Sequence, residues 1–292
     1  GTLNLSGNAT LNLGGNARTV NALSISSGTV TNGSLTVLSI LDLQSGSLAA
    51  VLSGSASLLK TTSGELIFSQ QQTYSGTTNI SAGTVTLLVN DALPILGSSG
   101  TLSLTLSTGN LNIGNGVGNV TQHMGTLTLT GGSVLSGYGS VLGGSIDASV
   151  LTLSSGFIGA TITGTGSITS GSVGSTGTVI LAGTASTSGA TTLNGGTLIL
   201  TQANGDQSLS DLIVNGGSFF IGNTQQTFKS ITLYDGSIAA LSTGSLFTAG
   251  TAGFLLKSGT VSARLAGSGL FTKDTASKVT LSGTNTLSGS MN

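Results

Sequence analysis

Gly196-Thr197-Leu198-Ile199-Leu200, Thr126-Leu127-Thr128-Leu129-Thr130 and Gly83-Thr84-Val85-Thr86-Leu87-Leu88-Val89 decide the fold. In each run apolar residues fall at every second position, and the wealth of Thr, Val and Ile favours extended backbone. Gly, Ser or Asn closes each run, and no window offers a capped, helix-period stretch longer than a couple of turns. The chain reads as all-β.

The same short unit recurs. A small residue followed by a brief strand occurs at Ala9, Gly28, Gly46, Gly64, Gly83, Gly109 and Gly132. It continues at Gly156, Gly177, Gly196, Gly217, Gly236, Gly259 and Ser277. The mean spacing is about 21 residues, inside the period range of solenoids. A longer period lies over this one. Leu11-Asn12-Leu13 corresponds to Leu111-Asn112-Ile113 and to Phe219-Phe220-Ile221, and residues 45–76 align without a gap on residues 258–289. That second alignment brings Lys60 onto Lys273. The chain therefore reads as one continuous solenoid, 1–292, of about 14 coils. Its internal copies span about 1–100, 101–208 and 209–292, the last incomplete.

One such coil cannot bury its few Leu, Val and Ile side chains alone. Stacking pairs every strand with its equivalent in the next coil, ~4.8 Å away, and builds a continuous apolar column. A parallel sheet covered on both faces reads as unbroken apolar runs, whereas a solenoid wall has one wet face and alternates. This sequence alternates. Leu13, Ile113, Leu153, Ile221 and Leu281 are the expected inward residues. Neither end shows a polar or helical cap, so the sequence is expected to be a window of a longer protein or a subunit capped by neighbours.

Composition removes whole classes of function. Charged residues are 5% of 292, with a net charge of −1, so nothing is available to neutralise a run of phosphates and nucleic acid is excluded as a partner. There is no cysteine, hence no disulfide scaffold, thiolate metal site or cysteine nucleophile. With 37% hydrophobic residues and so few charges the chain is the reverse of a disordered one. Polar residues interrupt the apolar ones every two or three positions, so no helix spans a bilayer. At 4% aromatic content the girdles of a membrane barrel are missing too, and no insertion by this segment is expected.

The residues carry a family resemblance. Leu59-Lys60-Thr61-Thr62-Ser63-Gly64-Glu65-Leu66-Ile67-Phe68-Ser69 leads into Gln72-Thr73-Tyr74-Ser75-Gly76-Thr77-Thr78-Asn79-Ile80 and Gly83-Thr84-Val85-Thr86-Leu87. This resembles the passenger-associated transport repeat of bacterial autotransporters, loosely L-x-K-x-G-x-G-x-L-x-L-S-G-x-N-T-Y-x-G-x-T-x-I-x-x-G-T-L-x-L. Phe271-Thr272-Lys273 with Val279-Thr280-Leu281-Ser282-Gly283-Thr284-Asn285-Thr286-Leu287-Ser288-Gly289 matches it again. The copy from Gly177 to Leu200 is degenerate and lacks the lysine. The resemblance implies a right-handed parallel β-helix, exported across the outer membrane and displayed at the cell surface or released. It also implies a C-terminal translocator barrel that this sequence does not contain.

Chemistry-bearing residues are sparse. His123 is the single histidine; a hydrolytic triad would have to use it with Asp91 or Asp147, and no G-x-S-x-G elbow accompanies it. It reads as a turn residue on the surface. Asp206 and Asp211 are the densest acidic pair, but no Arg, Lys or His clusters with them as a β-helical polysaccharide hydrolase would require. Lys60 and Lys273 sit at equivalent places, yet their equivalent neighbours Glu65 and Lys278 have opposite signs, so the lysine stems are expected to pack along the wall. Tyr74, Tyr138 and Tyr234 make no stripe at coil spacing.

No catalytic, cofactor-binding or metal residue is assigned, and no cofactor is expected. The expected function is a non-enzymatic structural or adhesive segment, at the bacterial surface or outside the cell, with end-to-end polymerisation into filaments as a further expectation. Its expected partners are further copies, joined axially head to tail, or a host or neighbouring cell surface. The alternative is a β-helical polysaccharide-binding or polysaccharide-degrading protein whose site lies outside this segment.

Overall fold

The computed structural model describes residues 1–95, 102–114, 116–137, 143–202, 210–222, 225–243 and 245–292. It is all-β, a parallel β-solenoid of about 13 turns of about 20 residues. Fourteen small-residue anchors enclose thirteen intervals, which accounts for the difference from about 14 coils. No helix among the described residues is long and apolar enough to cross a membrane. Contacts divide the chain into two units, Gly1–Ser149 and Val150–Asn292.

In the first unit, successive strands lie parallel and in register. On one wall Val30, Leu48, Phe68, Leu87 and Ile113 stack in consecutive rungs, each fully buried. On another, Leu3, Leu23, Leu41 and Leu58 line up. The intervening positions face outward, as in the column Leu59, Asn79, Thr105 and Thr128. This is the period-two alternation of the sequence made three-dimensional.

The second unit repeats the design. Leu153, Ser170, Leu193, Val214, Leu233 and Leu256 form one inner column. Val179, Leu198, Phe219, Ile238, Val261 and Leu281 form another. Phe219 also meets Phe228 edge-on, with ring centroids 6.3 Å apart, and Phe247 at 5.7 Å. The interior is thus filled by aromatic contacts as well as aliphatic ladders.

The recurrent glycines form a column of their own. Thr197 N donates to the Gly177 carbonyl at 2.8 Å, Ser218 N to Gly196 at 2.8 Å, Ser237 N to Gly217 at 2.9 Å and Thr260 N to Gly236 at 3.0 Å. At Gly217, φ is +79°, and a Cβ would collide with the Gly196 carbonyl of the rung beneath. Positive φ and close backbone approach together leave glycine alone tenable at this corner.

The alignment of residues 45–76 on 258–289 holds rung by rung. Gly46 pairs with Leu66 and Leu48 with Phe68; Gly259 pairs with Val279 and Val261 with Leu281. Ser53 pairs with Thr73 and Gly54 with Tyr74; Ala266 pairs with Thr286 and Gly267 with Leu287. Of the five expected inward residues, Leu13, Ile113, Leu153 and Ile221 are buried, but Leu281 is 38% exposed. Its counterpart Phe68 is covered by Leu87 of the following rung, and within these residues no described strand lies over Leu281.

Candidate functional site

The Val120–Leu129 strand positions His123 between two carboxylates. Asp91 sits at a corner with φ +53°, a conformation that aspartate tolerates better than most side chains. There its Oδ1 accepts from the His123 backbone N at 2.8 Å and faces the ring Nδ1 at 2.9 Å. The ring Nε2 lies 3.8 Å from Asp147 Oδ2, one coil further on. Asn90 Oδ1 accepts from Thr121 N at 2.9 Å and Asp91 N donates to the Thr121 carbonyl at 3.0 Å, which fixes the corner under the strand.

The structure therefore brings together three residues that spacing left apart, and it places His123 on a strand instead of in a turn. Both imidazole nitrogens face carboxylates. The neighbouring hydroxyls, Thr121 Oγ1 and Ser145 Oγ, bond each other at 2.7 Å, and neither nitrogen is paired with a hydroxyl that it could activate. The row braces three successive coils. Among the described residues no group of three His, Asp or Glu side chains is arranged to hold a metal ion.

The other candidates separate. Asp211 accepts from Ser230 Oγ at 2.7 Å and stands 3.9 Å from Lys229 Nζ, whereas Asp206 lies outside the described residues. Tyr74 is fully buried with its hydroxyl 2.7 Å from Thr78 Oγ1, and burial pushes its phenol above the usual range. Tyr234 lies on the surface with Lys257 Nζ 5.4 Å from its ring centre, and Tyr138 is outside the described residues. Glu65 accepts from Thr86 Oγ1 at 2.6 Å.

Lys60 departs from the wall-packing expectation. Its side chain turns into the corner, fully buried, and its ammonium donates to the Thr62 carbonyl and, at 3.3 Å, to the Ala82 carbonyl. Desolvation lowers its pKa from 10.5. Lys273 makes the equivalent hook, donating to the Thr275 carbonyl and to Thr275 Oγ1 at 2.9 Å. Interior amides are the residues that sequence reasoning missed. Gln72 Oε1 accepts from Leu52 N at 2.7 Å; at the equivalent place Asn285 Oδ1 accepts from Leu265 N at 2.9 Å. The signal was present, since the aligned positions 72 and 285 both carry an amide.

A groove opens at the same corner of both repeats. In the first unit it holds about 500 Å³ between Val51, Ser69, Gln70, Gln71, Thr73, Val89 and Asn90. In the second it holds about 210 Å³, and Arg264, Ser282, Gly283 and Thr284 stand where Val51, Ser69, Gln70 and Gln71 stand in the first. The backbone corner is retained while the lining changes from apolar and amide to cationic and hydroxylic.

No family model matches the chain. No solved structure matches it either. Among curated proteins it is similar to the adhesin BmaC autotransporter of Brucella suis biovar 1 (strain 1330), 29% identical over 318 aligned positions. The similarity covers 99% of this chain and 9% of that protein, so the chain spans about a tenth of the length of the relative it matches. Similarity along nearly the whole chain, carried on a parallel β-solenoid, fits this chain to the autotransporter passenger domains.

Proposed function

We propose that the chain is a non-enzymatic adhesive segment, displayed on or released from the bacterial surface as part of a longer passenger. The observation that carries this reading is the whole-chain similarity to an autotransporter adhesin. The walls suit the role: alternating strands bury one face and leave outward columns such as Leu59, Asn79, Thr105 and Thr128 for contact. Beads coated with the chain should attach to host or bacterial cells more than beads coated with an unrelated β-solenoid. Equal attachment would overturn the reading.

End-to-end association is a second proposal, favoured by the scarcity of charge, 5% of residues, which leaves little long-range repulsion between copies. With a net charge of −1, such assembly should be nearly insensitive to salt. Light scattering of the 292-residue chain at low and high ionic strength tests this; a monomer at high concentration rejects it.

A further inference from the structure

The two corner grooves differ in one residue that changes their chemistry. Val51 lines the first, and Arg264, one of only two arginines in the chain, lines the second. Arg264 is half-buried at the start of the Arg264–Gly267 strand. Its Nε makes one long hydrogen bond, to the Thr284 carbonyl at 3.5 Å, and none of the ion pairs among the described residues involves it. A guanidinium has five N–H donors in a fixed fork, so most of its donors remain to be used. Around it the groove presents the hydroxyl side chains of Ser262, Ser282 and Thr284. Ser262 and Ser282 follow Val261 and Leu281, which pair in register, so they stand on adjacent rungs.

We propose that this groove is an oxyanion subsite, in which Arg264 grips a sulfate or carboxylate group in bidentate fashion and the serine and threonine hydroxyls donate to its remaining oxygens. The local field agrees with that ligand. From Lys257 to Lys278 the chain carries four cations and one carboxylate, the reverse of its overall balance. One of those lysines, Lys257, already pairs with Asp274 at 3.2 Å, so Arg264 remains the cation directed into the groove. At about 210 Å³ the space suits a single sugar residue. The ligand is therefore an acidic polysaccharide held by one of its charged groups. This deepens the adhesive reading and rests on it for the ligand's setting, though the site itself rests on the groove.

The test is binding of the 292-residue chain to immobilised heparin, polygalacturonate and neutral dextran, with attachment of coated beads to cells measured in parallel. The chain should bind the acidic polymers and leave dextran alone. Arg264→Val, which installs the residue of the sister groove, should weaken that binding about tenfold or more, as loss of a hydrogen bond to a charged group requires. Arg264→Lys should recover part of it, since charge returns without the fork. Val51→Arg should add a second site. Millimolar inorganic sulfate that competes as well as an equal concentration of polymer-borne sulfate would assign the groove to a free anion and overturn the polysaccharide source. Unchanged binding in Arg264→Val, or an equal loss in Lys278→Gln, would overturn the subsite itself. If bead attachment persists in either case, the adhesive reading stands without it; if attachment is absent while Arg264-dependent glycan binding holds, the adhesive reading fails and the subsite stands.

Discussion

At the scale of single residues, two buried ionisable side chains set opposite slopes of stability with pH. Lys60 has its folded-state pKa depressed below 10.5 by desolvation. Below that depressed value the ammonium is charged in both states and its burial opposes folding. Stability therefore rises as pH climbs from the depressed value towards 10.5, where the lysine is neutral in both states. Tyr74 has its pKa raised above 10.0, so its contribution is present at lower pH and is lost as pH climbs past 10.0. Denaturant midpoints across the alkaline range should show Lys60→Met without the rising limb and Tyr74→Phe without the falling one. Parallel curves for Lys60→Met and the parent would mean that the ammonium is not desolvated in the corner. Because the hook also ties the corner to the Thr62 and Ala82 carbonyls, Lys60→Glu should be far worse than Lys60→Met.

At the scale of elements, strand ladders and glycine corners contribute differently. Phe219 is fully buried and touches two further rings, so Phe219→Ala should cost about 3–5 kcal/mol, read from thermal or denaturant unfolding. A loss under about 1 kcal/mol would show that the column re-collapses around the gap. Gly217→Ala adds a single methyl, but at φ +79° and against the Gly196 carbonyl. It should destabilise by more than the usual glycine-to-alanine change and should widen the Ser237 N to Gly217 carbonyl bond of 2.9 Å. Amide exchange at Ser237 reports this; protection equal to the parent's would show that the corner relaxes without penalty.

At the scale of the whole molecule, contacts run between neighbouring coils, and damage should travel only as far as they do. Leu153 is fully buried in its column. Leu153→Asp places an unpaired carboxylate there at a cost of several kcal/mol. Within the second unit, hydrogen exchange should lose protection in the Ser167–Ser170 strand, which pairs with Leu153 and its neighbours, and keep it in the Gly259–Val261 strand. Loss of protection throughout that unit under mild conditions would show a cooperative domain instead of a solenoid that adds up its neighbours.

Fold class, coil period and the alignment of residues 45–76 on 258–289 were legible in the sequence because they are local properties. Period-two alternation fixes which side chains turn inward, and glycine marks each corner where a Cβ would strike the rung beneath. Even the contrast of Val51 with Arg264 stood in that alignment. Tertiary structure decided the rest. Asp91 and His123 are 32 positions apart, half as far again as the mean coil, so spacing alone could not stack them; only the path of that longer coil does. The lysine and amide hooks likewise depend on which carbonyls and amides a corner leaves unpaired, and the groove at Arg264 exists because that corner opens. Direction is written in the strand, while cover and company are settled by the neighbouring coil.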